Sequence, residues 1–260
     1  MKKREREEFI MDKLYARKKL EISEAIELIG ASESTVRRIF NDLERTGKAI
    51  RTHGGITLVS GPSEYSFESL IHENFKQKQL IGITACNEIN DNDTIYLDCG
   101  TTVLALCIEL AKQIQAGEKR NLQIFTNSLA NMDVLSPVTA VNLIGGRYRP
   151  NRKDFAGYLS EKMLKEIHFF KCFLGADGVS AASGFTATDL DTASLNQIVI
   201  ANSNLKYIVC DVSKFNKNSL VSYAPVLCVN TLITNSGADA DLLSEMRRQG
   251  LRIIEVAYAH

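Results

Sequence analysis

The 260-residue chain has no uninterrupted apolar stretch of about 20 residues, the length a helix needs to cross a bilayer, so no membrane span is expected. Its first residues, Met1-Lys2-Lys3-Arg4-Glu5-Arg6-Glu7-Glu8, lead into no apolar core, which excludes a secretory signal. The six cysteines (Cys86, Cys99, Cys107, Cys172, Cys210 and Cys228) have no paired-thiol spacing and no histidine cluster beside them. That speaks against a metal site and for buried free thiols in a reducing cytoplasm. Net charge is absent too, with 31 basic and 31 acidic side chains. Their distribution is uneven, however. Residues 1–60 hold 13 basic and 10 acidic side chains, a surplus of three positive charges that the rest of the chain cancels. A basic head on an acidic body hints at nucleic-acid contact, although many solvated helices carry a comparable imbalance.

The head reads as three helices and a hairpin. Residues 5–17 place Phe9, Ile10, Leu14 and Tyr15 roughly on one face. A short second helix runs from about Ser23, its expected cap, to Ile29, and Gly30-Ala31 breaks the pattern. A third begins at Ser32 or Ser34, buries Val36, Ile39, Phe40 and Leu43, and stops at Gly47. Residues 49–58 then offer two β-prone runs around Gly54-Gly55. This order matches a winged helix-turn-helix, whose second paired helix enters the major groove of DNA. Ser32, Ser34, Thr35, Arg37 and Arg38 lie at the start or on the polar side of that helix, and Arg51 and His53 lie on the hairpin. Short hydroxyls can bond phosphates or base edges, and an arginine fork can bond guanine in two places. The competing reading is a small oligomerising bundle in which Arg37 and Arg38 form surface ion pairs.

Residues 59–78 lose this periodicity and gain Ser, Gly and Pro, so they read as a linker into a helix near residues 79–89. Beyond it, strands are expected at 94–98, 122–126, 140–145, 169–175, 206–211, 228–234 and 251–256. Helices are expected at 102–115, 128–135, 155–167, 191–203 and 239–249. Such alternation predicts an α/β domain with a mostly parallel sheet. The expected domains are therefore a winged helix-turn-helix over 1–58, a linker over 59–78 and an α/β domain over 79–260.

One loop of this body stands out. Asp98-Cys99-Gly100-Thr101-Thr102 joins an apolar strand to an apolar helix. Gly100 permits a tight turn, and the amides and hydroxyls of Thr101 and Thr102 open a helix whose dipole favours an anion. A capped helix start explains the same residues equally well. Three further segments follow strands: Asn127-Ser128, Gly145-Gly146-Arg147, and Asp177-Gly178. Together they offer anion donors (Thr101, Thr102, Asn127, Ser128, Arg147) and hydroxyl acceptors (Asp98, Asp177), the mixture a sugar phosphate needs.

The head resembles that of the DeoR family of bacterial regulators through Ser34-Thr35-Val36-Arg37-Arg38, Asp42-Leu43-Glu44, Gly47 and Arg51-Thr52-His53-Gly54-Gly55. The body resembles the family's sensor domain through Lys78, Leu97–Thr102, Thr126–Ser128, Gly145–Pro150, Phe173–Val179 and Asp211–Phe215. The resemblance spans most of residues 1–235. It implies a body similar to ribose-5-phosphate isomerase, used for sensing rather than turnover, with no cofactor. It further implies operator DNA and a phosphorylated sugar as partners, a homo-oligomer, and repression of a carbohydrate-use operon in the cytoplasm. Lys214 is family-typical and joins the expected effector site, though a surface or interface role fits it as well. Three positions depart from the pattern. Ile39 stands where the family usually has an acidic residue, and Thr192 and Asn196 stand where it commonly has glutamate and lysine. An isomerase with an N-terminal extension would need a carboxylate base in that region. Its absence disfavours that rival and raises another, a regulator that has lost its effector.

Overall fold

A computed structural model describes residues 3–17, 19–45, 49–58 and 65–257. The chain divides into two compact units, Met1–Glu73 and Asn74–His260.

In the first unit, α1 (Lys3–Arg17) leads into a short strand, β1 (Lys19–Glu21), then α2 (Ile22–Ile29) and α3 (Glu33–Arg45). A hairpin follows, β2 (Ala49–Thr52) and β3 (Gly55–Leu58), and the unit ends with the single turn α4 (Phe67–Leu70). Ile10, Leu14, Leu20, Val36, Ile39, Phe40 and Ile56 are fully or almost fully buried in one cluster. Each such side chain contributes roughly 1.5–3 kcal/mol by leaving water. The three helices and the hairpin of the sequence reading are present. β1 is an addition: it pairs antiparallel with β3, which pairs with β2, making a three-stranded sheet. Three residues with no turn signal before them carry too little periodicity to announce a strand. Its approach explains Gly55, where a Cβ would stand 2.2 Å from the Leu20 carbonyl oxygen.

One expectation for the head changes. Ser23 is not the cap of α2. The helix starts one residue earlier with Glu21 as N-cap, whose amide donates to the Glu24 carboxylate at 3.1 Å. A glutamate reaching back from the third helical position satisfies an otherwise orphaned N–H. Gly47, the expected stop of α3, lies outside the described residues, as do residues 59–64 of the expected linker.

The second unit opens with α5 (Phe75–Asn87), four residues earlier than the periodicity suggests. Its first turn, Phe75-Lys76-Gln77-Lys78, holds a single apolar residue, too few to show in the hydrophobic pattern. There follow β4 (Thr94–Leu97), α6 (Thr101–Gln115), β5 (Gln123–Thr126), α7 (Leu129–Leu135), β6 (Val141–Leu143), β7 (Arg147–Arg149), β8 (Asp154–Ala156), α8 (Tyr158–Lys165) and β9 (Phe169–Leu174). The chain continues through β10 (Gly178–Ser180), β11 (Gly184–Ala187), α9 (Leu190–Ala201), β12 (Ser203–Val209), β13 (Val221–Ala224), β14 (Thr231–Asn235), α10 (Ala240–Arg248) and β15 (Arg252–Val256).

Seven strands form one parallel sheet in the order β15-β14-β12-β9-β4-β5-β6. All seven correspond to expected strands. Strand order reverses between β4 and β9. With right-handed crossovers, the connections on either side of that point cover opposite faces of the sheet. The ends of the strands at such a point are where open α/β sheets usually have their ligand crevice. Two smaller pieces were not expected: the hairpin β7-β8 and the antiparallel sheet β10-β11-β13. Most of their strands are three residues long, and β7 and β8 are rich in charge, so neither alternation nor an apolar run marks them.

Candidate nucleic-acid interface and effector crevice

On α3 the apolar stripe Val36, Ile39, Phe40 and Leu43 faces the core. Ile39 is 1% exposed, so the departure from the family's acidic residue supplies core packing. The opposite face exposes Ser34, Arg37, Arg38, Asn41 and Arg45. At its N-terminal end, Ser32 Oγ lies 3.0 Å from both Ser34 Oγ and Thr35 Oγ1. Arg37 donates to Glu33 at 2.7 Å, one helical turn back. Arg38 is exposed and has no hydrogen-bond or ion-pair partner among the described residues. The surface pairing that the bundle reading expected of both arginines thus applies to Arg37 alone.

The hairpin residues differ from each other. His53 sits exposed in the turn between β2 and β3. Arg51 folds back on α3: its Nη1 donates to Asn41 Oδ1 at 2.6 Å, and its backbone N–H donates to Glu44 Oε1 at 3.1 Å. Sequence reasoning did not single out Asn41. Its helical register with Ser34 and Arg38 was the available signal.

At the switch point of the sheet, Asp98 follows β4 and is 4% exposed. Its Oδ2 accepts the Gly175 N–H at 3.0 Å, tying the loop after β4 to the loop after β9. Tyr223 Oη donates to the Gly175 carbonyl at 2.5 Å. Burial pushes the Asp98 carboxyl above the usual carboxylate range, although the Gly175 and Cys99 amides and Arg152 oppose that shift. A buried acid held at a disadvantage is a common mark of a functional site. Gly100 caps α6 without a side chain, and Thr101 and Thr102 form the first turn, so their amides have no partner within the helix.

Asn127 and Ser128 are buried and already engaged. Tyr96 Oη donates to Asn127 Oδ1 at 3.0 Å, and Asn127 Nδ2 donates to the Phe155 carbonyl at 3.0 Å. Ser128 Oγ caps α7 by accepting the Asn131 N–H at 3.2 Å. These two side chains are bonded within the fold and are not the open donors that the sequence suggests.

The hairpin β7-β8 supplies the cations. Gly146 lets it pack closely, since a Cβ there would stand 2.1 Å from Ser160 Oγ. Arg147 is largely exposed and pairs with Asp191. Arg149 is 15% exposed. It grips both oxygens of the fully buried Asp154 (2.8 and 2.6 Å), and also bonds Asp189 at 2.6 Å and Thr192 Oγ1 at 3.0 Å. Arg152 reaches Thr188 Oγ1 at 3.1 Å and lies 3.3 Å from Asp189 and 3.7 Å from Asp177. Burial works against the Arg149 charge, but Asp154 and Asp189 hold it above its ordinary value. Asp189 is held below its own, because the Thr192 amide, Arg152 and Arg149 outweigh its partial burial. Arg149, Arg152, Asp154 and Asp189 were not picked out as site residues. Arg149 lies inside the Gly145–Pro150 run, two residues beyond Arg147, so the sequence does carry its signal.

Asp177 accepts both the amide (3.0 Å) and the hydroxyl (2.9 Å) of Thr188. Gly178 opens β10, where a Cβ would stand 2.5 Å from the Lys217 carbonyl oxygen. Lys214 lies on a short helical turn after β12, one strand over from β9, and no described contact ties it to the Asp98 cluster. Thr192 fills the position of the family glutamate and bonds Arg149 and Asp189. Asn196, one turn on, is 1% exposed, and its Oδ1 has no hydrogen-bond partner among the described residues.

A family model described as the DeoR C-terminal sensor domain matches residues 73–236, and one described as a DeoR-like helix-turn-helix domain matches residues 6–61. The chain belongs to the DeoR family. It is 30% identical to a lactose phosphotransferase system repressor of Lactococcus lactis, over 94% of this chain and 96% of that one. It is 27% identical to the Bacillus subtilis HTH-type transcriptional regulator IolR over 92% of each chain. Ribose 5-phosphate isomerase A of Methanocaldococcus jannaschii aligns with 55% of each chain at 19% identity and a TM-score of 0.42. A DeoR-family chain is a transcriptional regulator, not an enzyme, and its helix-turn-helix unit is its DNA-reading part. Among the described residues, no helix is long and apolar enough to cross a membrane.

Proposed function

We propose that this DeoR-family chain represses a carbohydrate-use operon in the cytoplasm and that a phosphorylated sugar, bound at the switch point of the parallel sheet, lowers its affinity for operator DNA. The observation that carries the reading is the buried Asp98, its carboxyl raised by burial, beside the N-terminus of α6, whose first amides have no partner within the helix. The amides of Thr101 and Thr102 take the phosphate, and Asp98 and Asp177 accept sugar hydroxyls, with Arg147, Gly178 and Lys214 at the margin. No cofactor takes part. On the DNA side, Arg38 with Ser32, Ser34 and Thr35 reads the major groove, Arg37 supports them, and Arg51 and His53 place the wing. The Lactococcus relative, a repressor of a lactose phosphotransferase system, supports a sugar-linked role.

The mechanism is linkage. A ligand that prefers the low-affinity state of the regulator shifts the equilibrium toward it, and couplings of this kind are typically about 1–3 kcal/mol. A homo-oligomer matches paired heads to paired half-sites about one DNA turn, or a multiple of it, apart.

Thermal melting against a panel of sugar phosphates tests the sensor, since a ligand that binds only the folded form raises the melting point. One member of the panel raises it and lowers DNA affinity in the parent, and Asp98→Asn and Arg147→Ala weaken that response while DNA affinity persists. A flat panel points to the regulator without an effector. Conversion of a pentose or hexose phosphate by the protein points to the isomerase. An unchanged response in both variants moves the site elsewhere.

A further inference from the structure

Arg51 lies on the wing, yet its contacts belong to α3. Nη1 donates to Asn41 Oδ1 at 2.6 Å and points at the Arg37 carbonyl at 3.5 Å. Its backbone N–H donates to Glu44 at 3.1 Å, and its guanidinium sits 5.9 Å from the centroid of the buried Phe40 ring. Its Nε is shielded from solvent. A side chain aimed at DNA phosphate would extend into water. This one is drawn onto the recognition helix at two successive levels, through Arg37 and Asn41, and the Arg51 backbone N–H adds a third through Glu44. At the other side of the wing, β3 is held by β1, where Gly55 passes under Leu20. The wing is therefore fixed on one edge by the sheet and on the other by Arg51.

We infer that Asn41 and Arg51 form a strut that sets the wing against the recognition helix, and that Asn41 is a positioning residue for operator reading. Two elements that touch DNA at separate places bind well only if their spacing is fixed beforehand. The strut fixes it. Asn41 acts through Arg51, and its carbonyl oxygen is the part that matters. The inference rests on the operator-binding reading for its consequence, but the strut itself can be measured without DNA.

The test uses the full-length protein, with Asn41→Ala, Arg51→Ala, Arg51→Lys and the double alanine variant. The DNA probe is a duplex that the parent selects from a random-sequence pool. Because Asn41 is exposed, its truncation leaves the core intact. In the free protein, both alanine variants speed amide hydrogen exchange at residues 52–55. Each weakens duplex binding about tenfold, and the double variant is no weaker than either single one, as expected for partners in one interaction. The slope of log affinity against log salt for Asn41→Ala equals that of the parent, because no phosphate contact is lost. Arg51→Lys, which lacks the planar fork, behaves like Arg51→Ala. Unchanged exchange in Asn41→Ala overturns the strut, whatever the DNA result. So does an Arg51→Lys variant that binds like the parent while Arg51→Ala flattens the salt slope by about one, since that marks a direct phosphate contact. A parent that selects no duplex counts against operator binding, and the exchange data still decide the strut.

Discussion

On α3, Arg38 stands in solvent with no partner among the described residues, and Arg37 shares its charge with a neighbour on the same exposed surface. In the crevice, Arg149 is 15% exposed and is bonded to Asp154, Asp189 and Thr192 at once. Both regions put arginines where an anion is expected, yet they hold them in different ways. An exposed guanidinium remains hydrated and exchangeable, so it can release water and counterions when a phosphate or base edge arrives. A buried guanidinium needs a full set of acceptors, because an unpaired charge away from water is strongly destabilising. The head therefore separates binding from stability, and the crevice couples them.

The sharpest test of that contrast is Asp154→Ala. It removes the bidentate acceptor from a mostly buried arginine, so urea unfolding of the variant shows a loss of about 3–5 kcal/mol. A loss below about 1 kcal/mol would mean that the crevice network is as loose as the surface pairs. Arg38→Ala is the counterpart in the head. It lowers affinity for a parent-selected duplex by about 1–3 kcal/mol, measured by fluorescence anisotropy, while the melting point stays with the parent. Arg37→Ala, whose side chain is already engaged by Glu33, has the smaller effect on binding. A melting point that falls with Arg38→Ala would erase the distinction between the two regions. Tyr96→Phe removes one buried hydrogen bond to Asn127 and costs about 1–2 kcal/mol in the same unfolding experiment.

The last test is one of pH. Asp98 binds its proton more firmly folded than unfolded, so its charge opposes folding at neutral pH. Asp98→Asn accordingly raises the melting point near pH 7. The gain shrinks as pH falls through the raised folded value and is gone below the ordinary carboxylate range. Asp189 has the opposite sign, with a contribution present above its unfolded value and lost as pH falls through its lowered folded one. A difference between Asp98→Asn and parent that does not change with pH would contradict the buried carboxylate.

The legible parts of this molecule were those with local periodicity. The seven strands of the parallel sheet appear as short apolar runs such as Ile95-Tyr96-Leu97, because both faces of the sheet are covered. The three head helices appear through their 3–4 residue spacing, and Ile39 was already placed in the buried stripe of α3. The hairpin β7-β8 had no such signature. Its residues are held by partners far along the chain, Arg149 by Asp189 and Arg147 by Asp191. Lys171 shows the same limit inside a strand that read as apolar. It is 2% exposed, and its charge is met by Asp93 at 2.7 Å and the Glu88 carbonyl at 2.7 Å.

By itself, the order of residues determined which segments become helices and strands, where the glycines must turn, and which motifs tie the chain to its family. Those are short-range matters, set by spacing and backbone freedom within a few residues. Tertiary structure alone decided which polar groups are open and which are spent. It turned Asn127 and Ser128 inward, made Arg51 a brace on α3, and brought Asp98 against Gly175. The reason is that a side chain's bonding capacity is allotted by whatever the fold packs beside it, and those neighbours come from strands and loops that only the crossovers unite.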